Sequence, residues 1–335
     1  DEMGVPIGHT CALTREGAVY CWGANRYGQV TRTAGAPPHV EAPRPVNTVG
    51  WASGRIVQLS AGDGCTCARL DTGPIYCWGD PNNGQLGAPS GSAVSMLSAD
   101  VAEVFAGALR VCVTTHEGRA ICWGENGQGQ LGNDTDVGGR DVRTPVRDPD
   151  GGADLRNVAQ ITATGASTCV RLRDGTVYCW GDPSHGRLGT GLLPDAGVRR
   201  RPTLPATLSP ESGVTGLAAG SDYACALARQ GRQILCWGSN NYHAALGRPG
   251  GDLCTPPGPD EFTCLATPTA LLEQELTDDA FVQIAMRHHF ACARTCRGRV
   301  LCWGWNQHAQ LGRGTCNVDA PQVMPPDYID FDRPM

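Results

Sequence analysis

The sequence predicts an all-β fold made of six copies of one supersecondary unit. A Cys-Trp-Gly tripeptide occurs six times in the 335 residues, at a mean spacing of about 56 residues, a period typical of stacked β-units. The chain is also rich in turn-forming residues, with 45 Gly and 24 Pro. Hairpin signals recur in phase with the tripeptide. We therefore expect a single domain over residues 1–335.

The spacing of the cysteines predicts a disulfide in every hairpin. A second Cys stands ten residues before each tripeptide Cys, or eleven in the fifth unit. In a hairpin that turns at the acidic-Gly step, the two Cys lie opposite each other. Facing residues at non-hydrogen-bonded positions have Cα atoms about 4.5 Å apart, a distance that a disulfide accepts. The predicted pairs are Cys11–Cys21, Cys67–Cys77, Cys112–Cys122, Cys169–Cys179, Cys225–Cys236 and Cys292–Cys302.

Five cysteines lie outside the hairpin pattern. We expect Cys254 and Cys264 to close a Pro-Gly loop, and Cys296 to pair with Cys316 because the two are close in sequence. Cys65 is then left as a free thiol or as the partner of a cysteine in another chain. The other connectivities of these five residues stay open.

Each unit opens with an apolar-x-x-apolar strand that starts eleven residues before its first Cys. The first unit lacks this strand, but residues 328–331 near the C-terminus have the same pattern. A last strand that completes the first blade would close a ring and remove an exposed sheet edge. The sequence thus predicts a closed six-bladed β-propeller, with seven blades or completion by a neighbouring chain as alternatives. The predicted repeats are 1–55, 56–100, 101–157, 158–213, 214–280 and 281–327, followed by the closing strand.

Composition restricts the compartment and the partners. Seventeen Cys at recurring spacings indicate an oxidising compartment, so we expect a secreted, periplasmic or cell-surface protein. The net charge of −6 argues against general nucleic-acid binding. No apolar run is long enough for a membrane span. All 27 basic residues are Arg, a bias typical of GC-rich coding that suggests a bacterial source.

Three repeat sequences carry a resemblance to a known family. HTCALTREGAVYCWGANRYGQ, EGRAICWGENGQGQLG and DGTVYCWGDPSHGRLG resemble the repeat of the regulator of chromosome condensation family. The resemblance extends over residues 8–331 and implies a β-propeller. The usual members have seven repeats where six are counted here, and a small residue where these cysteines stand. The resemblance therefore points to a disulfide-rich form of the family.

A loop of the form N/D-x-x-x-G-Q-L-G follows each hairpin and contains one variable position just before the small residue of the loop. Six equivalent positions at one end of a propeller would form a ring of aromatic and amide side chains that binds protein or sugar. The alternative is that these side chains only fill tight loops. We call this position the loop slot; its six residues are Tyr27, Asn83, Gln128, His185, Tyr242 and His308.

Two further candidate sites lie outside the repeat pattern. Trp51 and Trp305 are either interface anchors or rings packed beneath loops. Asp134, Asp136 and Asp141 weakly resemble a calcium loop, but the closing Glu is missing, so a flexible acidic loop is the alternative. Otherwise no metal site is expected.

The sequence contains no recognisable catalytic set. A hydrolase needs a nucleophile, a base and an orienting acid, and no such set stands out. We expect no enzyme and no cofactor, but a surface propeller that binds another protein or copies of itself. A carbohydrate-binding module and a secreted enzyme inhibitor are the alternatives. Guanine-nucleotide exchange and a hydrolase or lyase activity are the least favoured, because fold does not carry function.

Overall fold

The computed structural model of the protein describes residues 8–32, 37–87, 94–96, 100–136, 143–191, 199–205, 208–240, 246, 252–253, 263–272, 276–305, 311 and 323–328. These residues form six antiparallel sheets, in agreement with the predicted all-β fold. Helical structure in this part of the chain is limited to three short 3-10 turns, at Ser184–Gly186, Pro210–Ser212 and Arg229–Gly231. The chain divides into two compact units, Asp1–Ile161 and Thr162–Met335.

The first unit contains three sheets, whose strands follow each other in chain order. The first sheet comprises β1 (His9–Leu13), β2 (Val19–Ala24) and β3 (His39–Pro45). The second comprises β4 (Ile56–Ala61), β5 (Cys65–Leu70), β6 (Ile75–Gly79) and β7 (Val94–Met96). The third comprises β8 (Val101–Ala106), β9 (Arg110–Thr115), β10 (Ala120–Gly124) and β11 (Thr144–Pro145).

The second unit contains the other three sheets, the fourth of which takes its first strand from the boundary between the units. The fourth comprises β12 (Val158–Ala163), β13 (Ser167–Leu172), β14 (Val177–Gly181) and β15 (Arg199–Thr203). The fifth comprises β16 (Gly216–Ala219), β17 (Tyr223–Ala228), β18 (Gln233–Ser239), β19 (Asp252–Leu253) and β20 (Thr263–Ala270), with β20 between β18 and β19. The sixth comprises β21 (Phe281–Arg287), β22 (Phe290–Thr295), β23 (Val300–Trp305) and β24 (Val323–Tyr328).

The hairpin register follows the cysteine spacing. Cys11 lies opposite Cys21, and Leu13 lies opposite Val19. Each of the six hairpin pairs forms a disulfide with a Cα–Cα distance of 4.1 Å. The fifth hairpin accommodates its extra residue in a 3-10 turn and keeps Cys225 opposite Cys236.

Three tryptophans of the repeat bind their blade to the blade before it. The indole Nε1 of Trp78 donates a hydrogen bond of 2.9 Å to the carbonyl oxygen of Gln29. Trp123 and Trp237 make the same bond, at 3.0 Å, to the preceding loops. Because the neighbouring repeat covers these rings, they are inaccessible to solvent. The fully buried motif tryptophans are Trp78, Trp123, Trp180, Trp237 and Trp303.

The first blade is less well covered than the others. Its described residues form three strands, and Trp22 is only half-buried, while Tyr20 is 37% exposed. Tyr328, the first residue of the predicted closing strand, ends β24 and lies opposite Leu301 in the sixth sheet. The remaining residues of that predicted strand, 329–331, lie outside the described residues.

Glycine at the hairpin turns allows one blade to pass closely over the next. Gly231 adopts a φ of 83°, and a Cβ there would lie 2.2 Å from the carbonyl oxygen of Phe281, at the start of the next blade. Gly118 has a φ of 79° and contacts Asn157 and Val158 in the same way. At these two positions, Gly is therefore required both by the turn and by blade packing.

Trp123→Phe should destabilise the fold more than Trp22→Phe. The first change leaves the buried carbonyl oxygen of Gln85 without its donor, at a cost of about 1–3 kcal/mol. The second changes a half-exposed ring for which no such bond is found among the described residues. Urea unfolding under non-reducing conditions measures both changes. Equal losses of free energy of unfolding would show that the interblade bond contributes little.

Candidate functional site

The loop slot has one geometry in the first three blades. The backbone N–H of the slot residue donates to the side-chain Oε1 of the Gln two positions later. That Gln is almost completely buried in each case. The slot backbone is thus held from inside the protein. The pairs are Tyr27 with Gln29 (2.9 Å), Asn83 with Gln85 (2.9 Å) and Gln128 with Gln130 (2.7 Å).

The slot side chains differ in exposure. Tyr27 is 43% exposed, with the Arg26 guanidinium 5.9 Å from the centre of its ring. Gln128 is exposed and Asn83 is half-buried. Gly28, the residue after Tyr27, has a φ of 74°, so the chain turns directly behind the slot. A rigid backbone therefore presents a different side chain in each blade.

The fourth blade replaces the loop Gln by an arginine that connects two blades. Arg187 forms ion pairs with Asp182 of its own loop and with Asp222, which precedes β17 in the fifth blade. Its Nε and one terminal nitrogen both donate to Asp222 Oδ1, at 3.0 and 2.8 Å. Its side chain is 10% exposed. Two carboxylates thus neutralise a nearly buried guanidinium.

His185 occupies the slot of the fourth blade beside this ion bridge. The residue is half-buried and adopts a left-handed backbone, with a φ of 57°. Burial and the nearby Arg187 charge lower the pKa of His185, while Asp222 and Asp182 oppose the shift. The imidazole is therefore favoured in its neutral form, as a donor and acceptor of hydrogen bonds rather than as a cation.

The predicted ring is only partly within the described residues. Tyr27, Asn83 and Gln128 lie in the first unit and His185 lies in the second. Tyr242 and His308 lie outside the described residues. That all six slots act together thus stays a prediction. The sequence analysis did not predict the ion pair between Arg187 and Asp222. The one feature of the sequence that indicated it was the Arg that replaces Gln in the fourth loop.

The indole ring of Trp51 packs against two other side chains and is not available as an exposed stacking surface. It stacks on Tyr76, with centroids 4.3 Å apart and planes 4° from parallel. The Arg32 guanidinium lies over the same ring at 5.0 Å. Trp305 is half-buried and meets His289 edge to face at 6.3 Å. The packed alternative therefore describes Trp51 better than a sugar-stacking role.

The calcium hypothesis gains no support from the part of the chain that the structure describes. Asp141 lies outside it, and Asp134 and Asp136 lie within it. No group of three His, Cys, Asp or Glu side chains in the described ranges could hold a metal ion. Within the same ranges, no helix is long and apolar enough to cross a membrane.

Cys65 is buried and takes part in no disulfide. It lies opposite Gly79, at the start of β5. Since its side chain is inaccessible, a bond to a second chain would require local unfolding. This position does not suit the intermolecular disulfide that we considered for it.

Cys296 does not form the disulfide that was expected with Cys316. Cys296 is an exposed free thiol, and its Sγ donates to Asp279 Oδ1 at 3.0 Å. Asp279 is buried and also accepts two bonds from Arg299, at 3.1 and 2.8 Å. Burial raises the pKa of Asp279, but these hydrogen bonds outweigh it and hold the pKa well below its usual range. The carboxylate thus provides an alternative partner for the thiol.

The last expected pair can be described only in part. Cys264, in β20, is disulfide-bonded. Cys254 and Cys316 lie outside the described residues.

Comparisons with known proteins agree on the fold. The sequence model of the RCC1-like domain family matches residues 5–333 of this chain. The ultraviolet-B receptor UVR8 of Arabidopsis thaliana is 30% identical over 155 residues, which cover 46% of this chain and 31% of UVR8. Human WBSCR16 has a TM-score of 0.77 at 20% identity, over 97% of this chain and 80% of that one. Yeast RCC1 (Prp20), in a structure bound to Kap60, has a TM-score of 0.69 at 21% identity, over 94% and 72%.

These likenesses confirm the predicted β-propeller fold. The structural neighbours are too different in sequence to show more than the fold, and the chain spans about a third of the length of UVR8.

Alkylation of the native protein should label Cys296 rapidly and Cys65 only after unfolding. The reason is that the first thiol is exposed and the second is buried. Peptide mass mapping without reduction measures both rates and shows whether the six hairpin pairs are bonded. Labelling of Cys65 at the rate of Cys296 would contradict the structure. Extensive labelling of hairpin cysteines in protein from its native source would contradict a non-reducing compartment.

Arg187→Gln should raise the pKa of His185, because it removes a nearby positive charge that lowers it. Asp222→Asn should lower the pKa, because it removes a negative charge that raises it. Glutamine is a suitable replacement because four other loops carry it at this position. NMR titration of the imidazole signals measures both shifts. A pKa that stays constant in both variants would show that the ion bridge does not reach the slot.

Proposed function

Since the chain belongs to the RCC1-like domain family, we propose that it is a non-enzymatic extracellular or cell-surface propeller that binds another protein. Binding takes place at the loop slots and at the variable loops beside them. Propellers of this family typically bind proteins, and yeast RCC1 (Prp20) is bound to Kap60 in its structure. For this chain, the partner is either a different protein or a second copy.

The main support is the rigid presentation of the slot side chains. A buried Gln fixes the slot backbone in the first three blades, and the Arg187 bridge occupies its place in the fourth. A preorganised surface loses little conformational entropy on binding. The side chains themselves include the aromatic ring of Tyr27 and the amide of Gln128, both exposed. Such groups are typical of protein-binding surfaces, where Tyr is enriched.

The disulfides support the proposed extracellular or cell-surface location. Six hairpin disulfides are compatible with a non-reducing environment and are rare in cytosolic proteins. Assembly through Cys65 is disfavoured by its burial. If copies of the chain associate, we therefore expect the contact to be noncovalent or to use the exposed Cys296.

A carbohydrate partner is the second candidate, and one observation favours it. Tyr27 is an exposed aromatic ring on a fixed backbone, the feature that sugar stacking needs. Trp51 does not add to this surface, because Tyr76 and Arg32 already cover its ring.

Photo-crosslinking at the slots tests the proposal. A benzoylphenylalanine at Tyr27 or Gln128 should form adducts with one defined protein, or with a second copy, on the native cell surface or in the culture medium. The same group at Glu41, an exposed residue of the outer strand β3, is the matched control. Mass spectrometry identifies the adducts. Equal yields at Glu41 and at the slots would refute binding at the loop ends, and adducts that contain only glycan would favour the carbohydrate candidate.

A further inference from the structure

A second candidate site lies in the first unit, at the end of β2 opposite to its loop slot. A cavity of about 400 Å³ opens there between the β1–β2 turn and the connection that leads to β4. This volume is within the usual range of ligand sites, about 300–1,000 Å³. The cavity is lined by Glu16, Gly17, Thr48, Trp51, Ala52, Gly54, Arg55, Ile56 and Leu70.

The apolar part of the lining is held in place by packing. Ile56 and Leu70 are buried at 6% and 1% exposure. Trp51 is fixed by its stacking on Tyr76, whose hydroxyl oxygen accepts a 2.6 Å bond from the N–H of Ala52. The connection is thus tied to β6 at two points, and the cavity wall is preformed.

Two opposite charges line the same cavity without forming an ion pair. Neither Glu16 nor Arg55 takes part in a salt bridge within the described ranges. Arg55 uses its backbone N–H to bind Asp71 Oδ1 at 3.0 Å, while its guanidinium has no bonded acceptor among the described residues. The guanidinium therefore offers both a positive charge and N–H donors to the cavity.

Glu16 supplies the opposite charge from the turn. Hydrogen bonds from its own backbone N–H and from Thr14 lower the pKa of its carboxyl group, so the side chain is ionised at neutral pH. It is exposed. As a second charged residue of the same lining, it disfavours a ligand that carries only negative charge and favours one that also brings an ammonium group.

We propose that this cavity binds the zwitterion of an apolar amino acid or short apolar peptide. The ligand carboxylate accepts hydrogen bonds from the guanidinium of Arg55, as guanidinium groups suit planar carboxylates. The ligand ammonium pairs with Glu16, and the apolar side chain packs on Ile56 and Leu70. This site is distinct from the loop slots, so its failure would leave the proposed function untouched.

Titration of the full-length protein with the dipeptide Leu-Leu tests the proposal. The NMR signal of the Trp51 indole N–H, assigned with Trp51→Phe, should shift on binding. N-acetyl-Leu-Leu lacks the ammonium and Leu-Leu-amide lacks the carboxylate. We expect each to bind about tenfold more weakly, since a charge-assisted hydrogen bond is lost.

Two variants and two matched controls separate the roles of the charges. The Glu16→Gln variant cannot pair with the ammonium, so it should bind Leu-Leu and N-acetyl-Leu-Leu with equal affinity. The Arg55→Gln variant cannot pair with the carboxylate, so it should bind Leu-Leu and Leu-Leu-amide with equal affinity. Glu117→Gln changes the same turn position in the third blade, and Arg156→Gln changes an exposed arginine in the connection to the fourth blade. Both controls should bind like the unchanged protein. Absence of a Trp51 shift at millimolar dipeptide, or equal binding of all three probes by the unchanged protein, would overturn the proposal. Free leucine distinguishes an amino acid site from a peptide site.

Discussion

The hydrogen bond from a motif tryptophan to the preceding loop is the interaction on which the rest of the described structure depends. One hairpin cannot bury its aromatic face by itself. The neighbouring repeat covers that face, and the loop carbonyl satisfies the only polar atom of the indole. A buried N–H without a partner would cancel part of the gain from burying the ring. At these three contacts, stability is therefore a property of adjacent blades.

The same loop residue connects stability with the candidate binding surface. In the first blade, the carbonyl of Gln29 accepts the bond from Trp78, and its side chain holds the slot backbone at Tyr27. In the fourth blade, the carbonyl of Arg187 accepts the bond from Trp237, while its side chain binds two carboxylates. The interior thus specifies where the slot lies but not which side chain fills it. This separation lets the slot vary from tyrosine to histidine without loss of the interblade bond.

The features that local spacing controls were predictable, and those that depend on distant contacts were not. A separation of ten positions between the two cysteines, together with one turn signal, determines the hairpin register. Alignment of the repeats locates the loop slot. By contrast, distant contacts decide the partners of Cys296 and Asp222. Cys296 is close to Cys316 in sequence, but in space its thiol meets Asp279, which lies 17 residues before it. Asp222 reaches Arg187 across 35 residues and a blade boundary.

The disulfides contribute less by their strength than by their position. Closing so short a loop removes little entropy from the unfolded chain, so each bond stabilises the fold by only about 2.5 kcal/mol in the chain-entropy model. All six, however, join the second and third strands of a blade, or their equivalents in the first, and these strands carry the motif tryptophan. The connection from β3 to β4 contains no cysteine and is left without this constraint. It carries Trp51 and Arg55, and a cavity lined by two opposite charges that form no ion pair can form there because the cross-linked hairpins do not need that segment for their own stability.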